Sequence, residues 1–158
     1  MASAPGSSRS RPLSLKGRAL RLLSQREHSR AELERKLAAH AQEPGELQQA
    51  LDDLQAKGFI SDERAAASVL HRRSGKLGSA RLKQELQAKG LDAELVSRTL
   101  EGLRGTEVAR AREVWKRRFE ALPLDAAERA RQSRFLAARG FGGEVIRKVL
   151  AGGAGDED

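Results

Sequence analysis

Cysteine is absent from these 158 residues, and so is tyrosine; one tryptophan and four phenylalanines are the only aromatics. Without cysteine the chain has no disulfide, no thiolate metal site and no cysteine nucleophile. Nothing requires an oxidising compartment, and the expected location is the cytoplasm. Long apolar runs are missing too. None approaches the roughly 20 residues that cross a bilayer, so no membrane partner is expected. Residues 1–13, rich in Ser, Arg and Pro, lack the apolar stretch of a secretory signal and read as a disordered tail. Strand-forming residues are scarce, whereas Ala, Leu, Arg, Glu, Gln and Lys are abundant, which predicts an all-α protein.

Positive charge is in excess, with 30 Lys and Arg against 22 Asp and Glu, a net +8. It is unevenly spread: residues 1–30 carry +6, residues 31–60 carry −3, residues 61–104 carry +3 and the remainder +2. A basic chain with acidic stretches suits one polyanion contact and at least one surface that faces something else. Ordinary solvated helix faces account for much of the rest.

The chain repeats itself. Leu82-Lys83-Gln84-Glu85-Leu86 echoes Leu33-Glu34-Arg35-Lys36-Leu37 at an offset of 49, and Val96, Leu100 and Leu103 echo Leu47, Leu51 and Leu54 at the same offset. At an offset of 50, Leu86, Lys89, Gly90, Leu91, Glu94, Val96 and Leu100 are answered by Leu136, Arg139, Gly140, Phe141, Glu144, Ile146 and Leu150. This register divides the chain into three tandem modules, residues 14–60, 61–104 and 105–151, followed by an acidic, Gly-rich tail at 152–158.

Each module reads as three helices, resembling a helix-turn-helix. Leu15, Ala19, Leu22 and Leu23 form a helical stripe, and Ser29-Arg30-Ala31-Glu32 is a capping box. Pro44 is expected to open the third helix, with Leu47, Ala50, Leu51 and Leu54 on its buried face. Ser61, followed by Asp62 and Glu63, starts the second module, whose first helix should bury Ala66, Val69 and Leu70. Gly78 and Ser79 open the next helix, and Lys89-Gly90-Leu91 suits a glycine-terminated end, as do Lys57-Gly58-Phe59 and Arg139-Gly140-Phe141. In the third module Val108, Ala111, Trp115 and Phe119 share a face. Pro123 is expected to end that helix, and Asp125 with Glu128 to cap the next. Phe59, Trp115, Phe119, Phe135 and Phe141 are read as packing residues. Modules of about 45 residues have small cores, so neighbours are expected to pack together into an elongated, curved array.

Catalytic chemistry finds no support. His28, His40 and His71 sit in separate segments without metal-ligand spacing; His28 reads as a turn residue and the others as solvated. Gly75-Lys76-Leu77-Gly78-Ser79 lacks both the residue order and the preceding strand of a phosphate loop. No enzyme activity, cofactor or metal is expected. The same segment still offers a basic helix junction: Arg72, Arg73 and Lys76 before it, Arg81 and Lys83 after it, and a Gly-Ser helix start whose free N–H groups suit a phosphate or carboxylate. Arg110, Arg112, Lys116, Arg117 and Arg118 form a second basic cluster, and Arg129, Arg131 and Arg134 a third.

A sequence-specific DNA-binding regulator is the rival reading, because a helix-turn-helix places its last helix in the major groove. Here that helix would present Glu46, Gln49, Asp52 and Asp53 in module one, and Glu94, Ser97, Arg98 and Glu101 in module two. Phosphates repel the acids in both sets; only Arg147 and Lys148 in module three suit the role.

Arg26-Glu27-His28-Ser29-Arg30-Ala31-Glu32-Leu33, Ser61-Asp62-Glu63-Arg64-Ala65-Ala66, the run from Gly78 to Gly90, and Arg134-Phe135-Leu136-Ala137-Ala138-Arg139-Gly140-Phe141 resemble the RecX family of regulatory proteins, over about Leu15 to Leu150. The resemblance implies three-helix repeats that bind RecA, lodge in the groove of its filament on DNA and restrain its recombinase, ATPase and co-protease activities in DNA repair and the SOS response. This sequence departs from the family at Ala65 and near Val69, where aromatics are frequent. The expected protein is a monomer that binds DNA weakly and without sequence preference. The expected contact residues are Arg72, Arg73, Lys76, Arg81 and Lys83 on the inner side of the array, with Arg110, Arg112, Lys116 and Arg117 beside them.

Overall fold

Nine α-helices and one 3-10 turn, with no strand among the described residues, make up the computed structural model, which describes residues 11–152. The tails expected at 1–13 and 152–158 lie almost wholly outside the described residues. The helices are α1 (Leu15–Gln25), α2 (Arg30–Leu37, prolonged by the 3-10 turn Ala38–His40), α3 (Glu46–Ala56), α4 (Asp62–Arg73), α5 (Ser79–Ala88), α6 (Ala93–Glu101), α7 (Glu107–Arg118), α8 (Ala126–Ala138) and α9 (Gly143–Leu150).

Local chemistry sets most of the starts. Side-chain oxygens of Ser14, Ser29, Ser61, Asp92 and Asp125 each accept from a backbone N–H three residues on, and at α2 the Glu32 carboxylate accepts in return from Ser29 N–H. Such a cap stabilises a helix by about 1 kcal/mol. Gly90 and Gly140 stop α5 and α8 at φ +72° and +93°, the equivalent ends that the offset of 50 requires. Phe141 N–H then reaches back to the Leu136 carbonyl at 3.2 Å, closing the end of α8 in a Schellman motif.

Four local expectations are corrected. Pro44 does not open α3: the helix begins at Glu46, and Gly45 precedes it at φ +80°. Glu46 supplies the start instead, its carboxylate accepting from the backbone of Gln42 and Glu43. Pro123 does not end α7 either. The helix stops at Arg118, because Phe119 turns extended to bury its ring, and Pro123 lies in the following loop. Leu70 is half-buried, the interior of α4 being filled by Ala65, Ala66 and Val69. Phe59 is 48% exposed, whereas its helix-end counterparts Leu91 and Phe141 are buried.

Three separate apolar cores result. Leu33, Leu37, Leu51 and Leu54 centre the first, Leu82, Leu86, Leu95 and Val96 the second, and Leu136, Phe141, Ile146 and Leu150 the third. Leu37, Leu86 and Leu136 hold one repeat position in all three. One position breaks the pattern: Gln132, 50 residues after Leu82, is also buried. Its amide is fully used, accepting from Trp115 Nε1 at 2.8 Å and donating to the Ala121 carbonyl and to Glu128, both at 3.1 Å. Every closely packed helix pair lies within one module. The modules meet through backbone and charge rather than a shared apolar core.

Candidate nucleic-acid and partner interface

The two meeting places follow one plan. The turn that ends a module's middle helix rests on the start of the middle helix before it. Between modules one and two, the Gly90 turn sits over Ser29 to Ala31. The Ser29 hydroxyl donates to the Lys89 carbonyl, Arg35 donates to the Ala88 carbonyl at 2.9 Å, and Asp62 accepts from Arg30 N–H at 3.0 Å. Arg64 reaches back to Glu27 at 3.0 Å.

Glu32 is the centre of this junction. Its side chain is 8% exposed and pairs with Arg26 at 2.9 Å and Lys89 at 3.4 Å, besides accepting from Ser29 N–H. Burial opposes its charge, but the Ser29 N–H and the two cations outweigh burial and hold the carboxyl down at about 2. His28 lies beside it, buried rather than merely in a turn. Nδ1 is 3.0 Å from the Arg26 carbonyl and Nε2 is 3.2 Å from Lys36 Nζ. An ammonium can only donate, so Nε2 accepts and the proton rides on Nδ1. Burial first, then Arg26 and Lys36, pulls this imidazole below its ordinary value and keeps it neutral.

Between modules two and three, the Gly140 turn sits over Gly78 to Arg81. Gly78 N–H donates to the Arg139 carbonyl at 2.8 Å and Ala80 N–H to the Gly140 carbonyl at 3.2 Å. A Cβ on Gly78 would lie 2.4 Å from the Gly140 backbone, so only glycine permits this approach. The Glu107 carboxylate takes the start of α5, accepting from Ser79 N–H at 2.7 Å and from its hydroxyl at 2.6 Å. Arg110 pairs with Glu107 at 3.1 Å and donates to the carbonyls of Ser74 and Leu77 at 2.8 and 2.6 Å.

These contacts redistribute the residues expected at one face. The Gly78-Ser79 helix start offers no free anion seat, because Glu107 and the Gly140 turn occupy its N–H groups. Arg110 is 13% exposed in its side chain and ties modules two and three together, so it is a junction residue rather than a free contact. Arg72 and Arg73 open on the groove between modules one and two, where Arg73 forms a two-point pair with Glu85 at 2.8 Å. Lys83 lines a different groove, between α5 and α6, with Glu101 and Glu107. Arg81 is exposed and donates to the Ala138 carbonyl at 3.1 Å. Arg112 is half-buried, and Lys116 pairs with Glu113 at 3.5 Å.

Lys76 and Arg117 do come together, in a recess between modules two and three that Arg118, Arg139, Val114 and Phe135 complete. Arg139 escaped the sequence reading. The signal was its place in the repeat, opposite Lys89, which at the other junction is neutralised.

Comparison with known proteins follows the same division. Family models described as the first, second and third three-helix domains of RecX match residues 16–54, 61–100 and 106–150. A regulatory protein RecX of Leptothrix cholodnii is 58% identical over 138 residues, 87% of this chain and 88% of that protein. One from Ralstonia nicotianae is 49% identical over 141 residues, 89% of each chain. A crystal structure of RecX from Lactobacillus salivarius superposes with a TM-score of 0.74 over 87% of this chain and 92% of that one. At 19% identity that likeness speaks for the fold alone.

Proposed function

The chain belongs to the RecX family of regulatory proteins, and on that premise we propose that it binds the RecA–DNA filament and restrains the recombinase, ATPase and co-protease activities of RecA in DNA repair and the SOS response. The observation that carries this reading is the ordered match of all three three-helix domains along one chain. The protein acts as a cytoplasmic monomer without chemistry of its own, and no described helix is long and apolar enough to cross a membrane. Three modules joined by polar junctions suit a partner that is itself a repeating helical filament, because successive modules then present similar surfaces to successive subunits. Exposed cations on both junction grooves, Arg72 on one and Lys76 and Arg117 on the other, supply the contact with the filament or its DNA.

The test is ATP hydrolysis by the cognate RecA on single-stranded DNA as this protein is titrated in. Suppression of hydrolysis is expected; unchanged hydrolysis together with no binding to RecA filaments would sink the reading. The rival, a sequence-specific repressor, is disfavoured by the surface of α3, where Glu46 is exposed and Asp52 and Asp53 are occupied by Arg30 at 2.6 Å and Lys16 at 2.7 Å. A salt-insensitive preference for one duplex sequence would revive it.

A further inference from the structure

We infer that the recess walled by Lys76, Arg117, Arg118 and Arg139 is a seat for the phosphates of a nucleic-acid backbone, shared between modules two and three. The inference deepens the weak DNA contact proposed above and rests on that part of the reading. Lys76 comes from the turn after α4, Arg117 and Arg118 from the last turn of α7, and Arg139 from the end of α8. Their side chains converge only because the Gly140 turn docks on Gly78. Val114 and Phe135 are the remaining lining, so no carboxylate faces the recess. Among the described residues none of the four cations forms an ion pair.

The competing explanation is that these cations merely complement helix ends. Three helix C-termini meet here, and each carries about half a negative charge, so together they offset about 1.5 of four positive charges. Part of that offset is already used: Arg110 caps the Ser74 and Leu77 carbonyls, and Arg117 donates to the Gly75 carbonyl at 3.3 Å. A guanidinium has five N–H groups, so Arg117 keeps donors to spare. More than two positive charges are left without a counter-charge in the protein.

The chemistry selects phosphate. Three of the four cations are arginines, whose planar forks match phosphate oxygens in pairs. Arg139 lies 4.6 Å over the Phe135 ring, a cation–π contact that steadies the guanidinium while leaving its N–H groups able to donate. A single protein carboxylate would neutralise one charge, whereas a nucleic-acid strand brings one phosphate after another. Arg139 covers Phe135 against base stacking, so the recess holds a strand through its phosphates rather than through stacked bases.

The experiment measures anisotropy of a short labelled single strand of mixed sequence, with the full chain, across a salt series. One variant carries Arg117→Gln, Arg118→Gln and Arg139→Gln. A control removes the same charge from exposed positions elsewhere, Arg21→Gln, Lys57→Gln and Arg98→Gln. The recess variant should bind at least about tenfold more weakly and flatten the slope of log affinity against log salt by about two, while the control should change affinity by about threefold or less. Lys76→Gln, on the other module and outside the junction hydrogen bonds, should by itself flatten the slope by about 0.7. Equal losses in the two triple variants would overturn the inference in favour of diffuse charge. Displacement of the strand by polyglutamate as readily as by unlabelled DNA would overturn it in favour of an acidic protein. RecA ATPase is measured on the same proteins. A recess variant that loses DNA yet still suppresses hydrolysis leaves the seat standing and places RecA recognition elsewhere. Parent protein that binds DNA through the recess but never affects hydrolysis refutes the RecA reading alone.

Discussion

Where module one meets module two, the Gly90 turn rests on Ser29, Ala31 and Glu32; where module two meets module three, the Gly140 turn rests on Gly78, Ala80 and Arg81. Position by position the partners correspond, at offsets of 49 and 50. Ser29 and Gly78 both meet the residue before the turn glycine, one through its hydroxyl, the other through its backbone N–H. The equivalent carbonyls of Ala88 and Ala138 each accept from an arginine, but from different repeat positions, Arg35 in one junction and Arg81 in the other. The charges do not correspond. Glu32 has Arg81 as its counterpart, so Lys89 is neutralised at the first junction while Arg139 has no carboxylate at the second. One scaffold thus yields a closed ion network in one place and an open cationic recess in the other. Two acidic positions make the difference: Glu32 is answered by Arg81, and Glu85, which pairs with Arg73, by Phe135.

The largest expected effect comes from removing what makes the second junction close. Gly78→Ala drives a Cβ into the Gly140 backbone, and Gly140→Ala adds a residue at φ +93° with Arg81 N at 2.5 Å. Each should cost about 2–4 kcal/mol through the junction hydrogen bonds lost, read as a lowered urea midpoint. Gly58→Ala is the control: its φ is +81° but nothing lies within 4 Å, so it should cost only about 1 kcal/mol of backbone strain. Gly78 sits at φ −80°, where alanine is unstrained, so a loss in Gly78→Ala no larger than that in Gly58→Ala would show that close approach is not what Gly78 serves.

Next in size is Glu32→Gln at the first junction, expected to cost about 2 kcal/mol near neutral pH. The sign of the pH dependence follows from a carboxyl held at about 2 when folded, against 4.5 ordinarily. Its stabilisation is complete above 4.5 and is lost as pH falls towards 2. Parent and variant unfolding curves should therefore converge on acidification, and curves that stay parallel would show that Glu32 acts through shape rather than charge.

His28→Gln should have the smallest effect, with the same direction of pH dependence but in a higher pH window. The folded imidazole titrates below 6.5 and is neutral. The unfolded chain takes up the proton first, so the parent is fully stable above 6.5 and weakens as pH falls through that value. The variant should lack that weakening. Fluorescence-monitored unfolding on either side of pH 6.5 checks it, and an identical slope in the variant would remove His28 from the junction's electrostatics.

Much of the fold was legible before any coordinates. Ser29, Ser61 and Asp125 announced helix starts, Gly90 and Gly140 announced stops, and the repeat of leucines announced three cores. Those signals are readable because a cap or a stripe involves residues three or four apart. The errors were local too. Pro44 and Pro123 are permissive markers that a neighbouring Gly45 turn or a burying Phe119 overrode.

The interface was less legible, and the reason is distance along the chain. Arg110 reads as one cation of a basic contact cluster until Ser74 and Leu77, 36 and 33 residues earlier, are brought against it. Nothing in the sequence singles out Glu107, which takes the free N–H of Ser79, 28 residues back. Nor does anything in the sequence single out Gln132, which Trp115 meets in the third core.

By itself, then, the sequence determined the helices, most of their ends, the threefold repeat, and the lack of cysteine chemistry, because each depends on residue type and short-range spacing. Only the tertiary structure decided which cations are spent and which are available. A charge's role is set by the nearest opposite charge in space, and at these junctions that neighbour comes from another module.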